Sequence, residues 1–262
     1  MASKRDEKIT GIVGNYTVTF SPVIGGGTFG QVMEAIHNKS LKKCAVKRIQ
    51  ITDGTIRNEY LYSMAERELE IIKKLKDHTN VISLDKVIFT DNCCYLIMDF
   101  CDHDLEGFLA QNPDITLLKK LRFMLQAANA VAFMHRQNPP IIHRDLKLKN
   151  ILVKWEGYAY VIKLADFGLS KIFEDKFRAS LSAIYTTTYM TTGCDSQYFQ
   201  APEFFEESDD GLMYNASVDT FALGLLFSVM LHYGPDYNDF TPLSGIKDML
   251  EKYVKMRNQL NT

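Results

Sequence analysis

The first third of the chain alternates apolar and polar residues with the period of β-strands. Residues 16–20 alternate as YTVTF, residues 31–38 follow a glycine-rich turn with the same period, and residues 42–51 form an apolar, β-branched run. Two further strand patterns lie at residues 81–89 and 93–100. These segments predict a strand-rich first lobe.

The pattern is helical between these strands and over most of the remaining chain. Residues 56–76 place apolar side chains on one helical face, a short helix is predicted from about Asp104, and residues 116–136 predict a long one. The Asn-Pro-Pro sequence at 138–140 ends that helix, because proline cannot continue it. We therefore predict an α+β protein with two unlike lobes, preceded by a flexible arm at residues 1–14.

Composition and charge narrow the class of protein. The 262 residues are 46% hydrophobic and 24% charged, which is near the globular average. A net charge of −2 gives no general attraction to nucleic acid or anionic membranes. Five cysteines without a CxxC pair fit free thiols in a reducing compartment, and the polar first residues lack the apolar core of a signal peptide. We expect a cytoplasmic or nuclear protein that binds neither nucleic acid nor membrane.

A glycine-rich stretch, GGGTFGQV, is the first candidate for ligand binding. Gly25, Gly27 and Gly30 have G-x-G-x-x-G spacing, which lets backbone N–H groups approach phosphate closely. An ordinary hairpin turn and a dinucleotide site are the alternatives. A dinucleotide motif opens directly into a helix, whereas residues 31–38 alternate like a strand.

Lys47 lies in the apolar run CAVKRI and would need an anionic partner if buried. The helical segment that follows offers Glu66, Glu68 and Glu70, which point to different faces. Glu68 shares the inward side of Ile72, four residues later. We therefore predict an ion pair between Lys47 and Glu68.

Ionic residues are concentrated in IIHRDLKLKNILV, residues 141–153, between apolar flanks. A charge removed from water is costly unless it is paired, bound to metal or used on a substrate. A second carboxylate, Asp166, follows the strand pattern YVIKLAD in a DFG sequence. Asp166 and Asn150 supply two oxygen ligands of the type that Mg²⁺ prefers.

The ordered series of these motifs resembles a eukaryotic protein kinase. From Gly25 to the helix around Asp219 the chain contains, in order, GGGTFGQV, AVK, RELEIIKKL, YLIMDF, HRDLKLKN, DFG, APE and SVDTFALG. The resemblance implies a bilobal kinase-like fold, with a small β-rich N-lobe containing one long helix and a larger, mainly helical C-lobe. Its expected boundaries are residues 15–98 for the N-lobe, 99–103 for the hinge and 104–262 for the C-lobe.

The resemblance also implies roles in phosphoryl transfer from ATP. Asp145 would act as the catalytic base for the substrate hydroxyl, and Lys147 would offset the charge of the γ-phosphate. Asn150 and Asp166 would hold Mg²⁺. His143 would serve in packing and hydrogen bonding rather than as a general base.

The N-lobe would contribute most contacts to the nucleotide. Lys47 would hold the α- and β-phosphates, and Glu68 would orient Lys47. The other contacts that the resemblance implies are Gly25, Gly27 and Gly30 over the phosphates, Val32, Ala45 and Leu152 around the adenine, Met98 as gatekeeper, Asp99 and Cys101 as backbone partners in the hinge, and Asp104 near the ribose. Ile72, Leu84, His143 and Phe167 would pack in a column anchored by Asp219.

Substrate class and control follow from the same resemblance. Lys147, two residues after Asp145, and Ser196 both favour Ser/Thr substrates. Arg144 could receive a phosphorylated activation segment, for which Thr191 or Thr192 is the expected site of an upstream kinase or of autophosphorylation. An uncontrolled polar loop is the alternative. Lys149 is expected to disfavour arginine just upstream of the target hydroxyl.

The chain departs from the family pattern after about residue 231, where only about thirty residues remain, so we expect a truncated or reduced C-lobe. Residues 241–260 could form one capping helix in place of the missing ones. A catalytically silent, kinase-shaped scaffold or nucleotide-binding module is therefore the alternative to an active Ser/Thr kinase. Activity is favoured because the chain retains Lys47, Glu68, Asp145, Asn150 and Asp166.

Overall fold

The computed structural model describes residues 8–27, 30–53, 56–172, 199–201 and 215–232 of the chain. The chain divides into two compact units, Met1–Asp102 and His103–Thr262. The division falls within residues 99–103, the segment expected to be a hinge.

The first unit is built on an antiparallel sheet. Its strands are β1 Ile9–Val13, β2 Tyr16–Ser21, β3 Gly25–Gly27, β4 Gly30–His37, β5 Lys43–Gln50, β8 Leu84–Phe89 and β9 Cys93–Asp99, and a separate short ladder joins β6 Thr52–Asp53 and β7 Ile56–Arg57. In the sheet the strands follow the order β1-β2-β4-β5-β9-β8, with β3 paired to β4.

Strand periodicity divides the side chains of this sheet between its two faces. Met33 of β4, Val46 of β5 and Ile97 of β9 belong to one apolar cluster, and each is fully buried. The neighbours of Val46 in the chain, Ala45 and Lys47, therefore project from the opposite face. Both of these are buried as well, so β5 is covered on both faces.

Helix α1, Glu59–Leu75, is the long helix of the first unit. Its first turn is capped by the side chain of Asn58, which accepts a hydrogen bond from the N–H of Leu61. The buried side chains recur at helical spacing and include one acidic residue, Glu68. The apolar face thus carries a carboxylate into the interior.

The second unit is mainly helical, with short strands beside the helices. Its helices are α2 Leu105–Gln111, α3 Leu117–His135 and α4 Ser217–His232, with a 3₁₀ turn at Leu148–Asn150. Its strands are β10 His103–Asp104, β11 Ile141–Ile142, β12 Ile151–Trp155, β13 Tyr160–Leu164 and β14 Lys171–Ile172. Strands β10, β12 and β13 form one antiparallel sheet, and β11 pairs with β14.

Long-range packing holds these short elements in place. Helix α3 packs against β13 and α4. The Phe108 ring of α2 makes edge contacts with Phe123 of α3 and Tyr160 of β13, at centroid distances of 5.7 and 4.8 Å. No helix in the described parts of the chain is long and apolar enough to cross a bilayer.

The predicted α+β fold is confirmed, with a strand-rich first part containing one long helix and a helical second part. One prediction within it is wrong. Residues 9–13 were expected to belong to a flexible arm, but they form β1, which pairs antiparallel with β2. Residues 9–13, ITGIV, do not alternate regularly between apolar and polar residues, so the sequence alone did not indicate a strand. Their apolar side chains are also not all buried, since Ile9 and Ile12 remain exposed. The prediction of a reduced C-lobe concerns residues 233–262, which lie outside the described ones.

Candidate active site

The glycine-rich stretch is a β-hairpin. Gly25 pairs with Val32, Gly26 with Gln31, and Gly27 with Gly30 across β3 and β4. No helix follows it, which excludes the strand-to-helix geometry of a dinucleotide motif. Gly30 has φ +155°, and an added Cβ would lie 2.5 Å from the carbonyl oxygen of Arg48. Only glycine fits at this position, because both the backbone angle and the space exclude a side chain.

Strand register gathers four of the predicted nucleotide contacts on one face of the first sheet. Val32 is directly opposite Lys47, and Ala45 is directly opposite Met98. Directly opposed residues share a face, and so do residues two apart in a strand. Val32, Ala45, Lys47 and Met98 therefore share the face that is turned away from the apolar cluster.

Lys47 and Glu68 form the predicted ion pair. The Lys47 Nζ lies 2.7 Å from Oε1 and 2.8 Å from Oε2 of Glu68. The Lys47 and Glu68 side chains are only 7% and 3% exposed, so both charges are desolvated in the folded chain. The ion pair offsets the free-energy cost of this desolvation. The pair joins β5 to α1 and fixes the position of the ammonium.

The end of β9 carries the residues predicted to contact the adenine through their backbone. The Asp99 N–H donates to the carbonyl of Ser83, and its carboxylate receives a hydrogen bond from Lys42 Nζ at 3.0 Å. This hydrogen bond raises the pKa of Lys42 above its ordinary value. Cys101, two residues further on, is partly buried and is not part of a disulfide.

Asp145 is the centre of the predicted catalytic group in the second unit. One carboxylate oxygen, Oδ2, lies 3.0 Å from the Lys147 Nζ and accepts a hydrogen bond from Asn150 Nδ2 at 2.8 Å. The same amide donates to the backbone carbonyl of Asp145 at 2.7 Å. Asn150 is buried, whereas Asp145 and Lys147 are partly accessible. The Asp145 carboxylate is therefore held through one oxygen, Oδ2, and remains partly exposed.

The β12–β13 hairpin brings Asn150 and Asp166 together. Ile151 pairs with Leu164, so the residues just before β12 and just after β13 lie at the same end of the hairpin. The N–H of Ala165 donates to the carbonyl of Asn150 at 2.9 Å, which places Asp166 next to it. Asp166 itself has a left-handed backbone, with φ 61°.

The chemistry of these two residues fits Mg²⁺. The Asn150 amide nitrogen donates to Asp145, so the amide oxygen of Asn150 and the carboxylate of Asp166 are the oxygen atoms that would hold the ion. Mg²⁺ is commonly bound by one or two protein oxygens together with substrate phosphates. The described residues contain no cluster of three or more His, Cys, Asp or Glu side chains that could hold a metal ion by themselves.

His143 has both ring nitrogens engaged. Its Nδ1 accepts from the Asp145 N–H at 3.3 Å, and its Nε2 donates to the carbonyl of Ala165 at 3.1 Å. The ring is fully buried and packs on Phe167, with centroids 5.2 Å apart. His143 therefore positions the Asp145 backbone, as predicted, and has no ring nitrogen available for acid–base chemistry.

Asp219 anchors the segment that carries Asp145. Its carboxylate accepts from the N–H groups of His143 and Arg144 at 2.8 and 2.9 Å. It also contacts the Nε2 of His135, the last residue of α3, at 2.8 Å. Arg144 has φ 67°, and its Nε donates to the carbonyl of Leu169. The predicted anchoring role of Asp219 is present, but His135 was not predicted, since the two are 84 positions apart.

Asp104 and Leu152 complete the predicted set in the second unit. They pair directly across β10 and β12. The Asp104 side chain also caps α2, accepting from the N–H of Gly107 at 2.7 Å. The structure thus brings the predicted residues together in two groups, one in each unit. Ser196, Thr191 and Thr192 lie outside the described residues.

Fold and site geometry define the class of this protein. The sequence matches the protein kinase domain over residues 18–261. The chain belongs to the protein kinase family.

The relatives place it near one group of kinases. It is 33% identical over 213 residues to a probable cell division protein kinase of Encephalitozoon cuniculi, covering 81% of this chain and 71% of the relative. It is 35% identical to cyclin-dependent kinase 2 of Caenorhabditis elegans, covering 78% of this chain and 51% of the relative. With human cyclin-dependent kinase 9 the identity is 33%, covering 81% of this chain and 55% of the relative. The chain thus spans about half the length of the cyclin-dependent kinases that it matches.

Proposed function

We propose that this chain transfers the γ-phosphate of ATP to serine or threonine hydroxyls of protein substrates. The observation that carries the proposal is the partly exposed Asp145 carboxylate, which Asn150 and Lys147 hold at 2.8 and 3.0 Å. A carboxylate fixed in this way can accept the proton of a substrate hydroxyl in the transition state. Family membership and the relatives support the Ser/Thr class.

The cations of the site have distinct tasks in this proposal. Lys47, fixed by Glu68, binds the α- and β-phosphates, and Lys147 neutralises charge on the transferred phosphoryl group. Asn150 and Asp166 hold Mg²⁺, which supplies further charge neutralisation when bound. The remaining nucleotide contacts proposed are Gly25, Gly27, Gly30, Val32, Ala45, Met98, Asp99, Cys101, Asp104 and Leu152.

The test is phosphoryl transfer from Mg-ATP to a generic protein substrate, with Asp145→Asn compared with the unchanged chain. We expect a loss of about 10²- to 10⁴-fold in rate while ATP binding, measured by calorimetry, is retained. Asp114→Asn, which removes an exposed carboxylate in the same unit, is the matched control. Equal background rates in the Asp145 variant and the unchanged chain would instead indicate a silent nucleotide-binding scaffold.

Lys149 gives the proposed enzyme a substrate preference. Its Nζ lies 3.5 Å from Oε2 of Glu106 in α2, and half of the lysine side chain is exposed. Lys149 neutralises the carboxylate of Glu106, which would otherwise attract a basic residue of the substrate peptide. In a peptide library we expect arginine just upstream of the target hydroxyl to be disfavoured, and Lys149→Glu to relieve this. Strong arginine selection by the unchanged chain would contradict the assignment.

The remaining parts of the proposal concern regulation and location. We propose Thr191 or Thr192 as the site of phosphorylation by an upstream kinase or by the chain itself, and Arg144 as the group that receives the phosphate. We also propose that the protein is located in the cytoplasm or nucleus, because of its membership of the protein kinase family.

A further inference from the structure

Ser170 contributes a buried hydroxyl to the second unit. It lies two residues after the Asp-Phe-Gly sequence, and its side chain is completely buried. Its Oγ donates a hydrogen bond to the backbone carbonyl of His143 at 3.1 Å. Ser170 thereby joins the segment that carries Asp166 to the segment that carries Asp145.

These two segments run antiparallel to each other. Ile142 of β11 pairs with Lys171 of β14. Two residues further on, the Nε of Arg144 donates to the carbonyl of Leu169. The hydrogen bond from Ser170 lies between these two contacts in both segments. Three consecutive residues of one segment are therefore bound, one by one, to three consecutive residues of the other.

His143 connects this hydrogen bond to Asp145. The Nδ1 of the His143 ring accepts from the Asp145 N–H at 3.3 Å, and the Nε2 donates to the carbonyl of Ala165 at 3.1 Å. Ala165 immediately precedes Asp166. A buried carbonyl cannot exchange its partner for water, so the Ser170 hydroxyl restricts the movement of His143.

Two left-handed residues lie beside this hydrogen bond. Arg144, which follows His143, has φ 67°, and Asp166 has φ 61°. Such backbone conformations cost free energy in residues other than glycine, and they persist where surrounding contacts fix them. A hydrogen bond between the two segments supplies a contact of this kind.

We propose that Ser170 is a positioning residue for the Mg²⁺ site of Asn150 and Asp166. Its hydroxyl holds the turn after Asp166 against the segment before Asp145, so that Asp166 keeps its position relative to Asn150. Ser170 is buried and acts through the backbone of His143. The inference rests on the proposed function, because that function assigns Mg²⁺ to Asn150 and Asp166.

Calorimetry of ATP binding with and without Mg²⁺ tests this role. In the unchanged chain we expect Mg²⁺ to increase the affinity for ATP. Ser170→Ala should reduce this increase by about five- to ten-fold, because one hydrogen bond behind a metal ligand is lost, and should leave the Mg²⁺-free affinity unchanged. Ser170→Thr keeps the hydroxyl and should preserve the increase. Thr52→Val, which removes a buried hydroxyl bonded to Asn92 in the first unit, is the matched control.

Hydrogen exchange without nucleotide gives a second readout that does not depend on activity. The amides of residues 143–146 and 165–171 should exchange at least about five-fold faster in Ser170→Ala than in the unchanged chain. The amides of α3 should keep their rate, and Ser170→Thr should restore the protection. Thermal unfolding followed by Trp155 fluorescence checks that the second unit is folded in each variant.

Three results would overturn the proposal. The Mg²⁺-dependent increase could be the same in Ser170→Ala as in the unchanged chain. Ser170→Thr could lose as much as Ser170→Ala, which would assign the effect to packing. Faster exchange throughout α3 as well would show a general loss of stability. An unchanged chain that binds no Mg-ATP, or binds it without transferring phosphate, would contradict the proposed function, while the exchange rates still test the hydrogen bond.

Discussion

At the residue scale, buried polar groups in the described parts of this chain have defined partners. No buried side-chain nitrogen or oxygen there lacks a hydrogen bond. Tyr16 is an example: it is almost fully buried, and its hydroxyl donates to Oδ2 of Asp85 at 3.0 Å. Burial, with a smaller effect of the Asp85 hydrogen bond and charge, raises the pKa of Tyr16 to about 12.

This raised pKa predicts a stability change at alkaline pH. Folding favours the neutral phenol, so the contribution of Tyr16 is fully present below pH 10 and is lost as the pH rises towards 12. Tyr16→Phe should lower the free energy of unfolding by about 1 kcal/mol at pH 8, through loss of the hydrogen bond. The difference between the two chains should shrink between pH 10 and pH 12 in urea unfolding followed by circular dichroism. A difference that stays constant over this range would show that Tyr16 does not titrate with a raised pKa.

At the element scale, β5 and α1 are tied by charge as well as by apolar packing. The Lys47–Glu68 pair is buried, and both carboxylate oxygens of Glu68 lie within 2.8 Å of the ammonium. The contribution of this ion pair to folding stability depends on both partners, because the protein interior does not solvate either charge alone. On the outer face of the same helix, Glu70 and Lys74 form a pair at 3.2 Å that is largely exposed.

A double-mutant cycle should distinguish these two pairs. Lys47→Met or Glu68→Met alone should each cost about 3–5 kcal/mol in the free energy of unfolding, because the remaining charge stays buried. The double variant should recover most of this loss. For Glu70 and Lys74 we expect a coupling energy below about 0.5 kcal/mol. Additive losses at Lys47 and Glu68 would mean that the two side chains are not coupled in solution.

At the scale of the whole molecule, contacts between distant parts of the sequence hold the segment that carries Asp145. Asp219 of α4 binds two backbone N–H groups that are 75 and 76 positions away, and it contacts His135 of α3. The carboxylate is 1% exposed, so these hydrogen bonds form without competition from water. They hold Arg144 in its left-handed conformation immediately before Asp145.

Asp219→Asn should therefore destabilise the second unit. An amide can accept only one of the two backbone hydrogen bonds and turns its NH₂ group towards the other, at an expected cost of about 2–4 kcal/mol. Urea unfolding followed by the fluorescence of Trp155, the single tryptophan of the chain, measures this cost. Asp114→Asn, at an exposed position, should change it by less than about 0.5 kcal/mol. Equal effects of the two substitutions would remove the anchoring role.

Some parts of the site could be predicted because their chemistry is local. The glycine spacing, the HRD and DFG sequences, and the acidic residue on the inward face of α1 lie within short windows, where strand and helix periods already decide which way a side chain points. The Lys47–Glu68 pair followed from this, although its members are 21 positions apart. The strand at residues 9–13 was missed because these residues do not alternate regularly, and the segment is a strand through its pairing with β2.

The sequence by itself indicated the class of protein through its ordered series of motifs, and most of the strands and helices through their short-range periods. It also supplied the residues proposed for phosphoryl transfer, since these are identified by residue type. Tertiary structure alone decided several other polar pairs. His135 on Asp219, Glu106 on Lys149 and Asp85 on Tyr16 are contacts between segments separated by 84, 43 and 69 positions. Such pairs form where chain packing removes water from the groups, and no periodic pattern in the sequence records where that occurs.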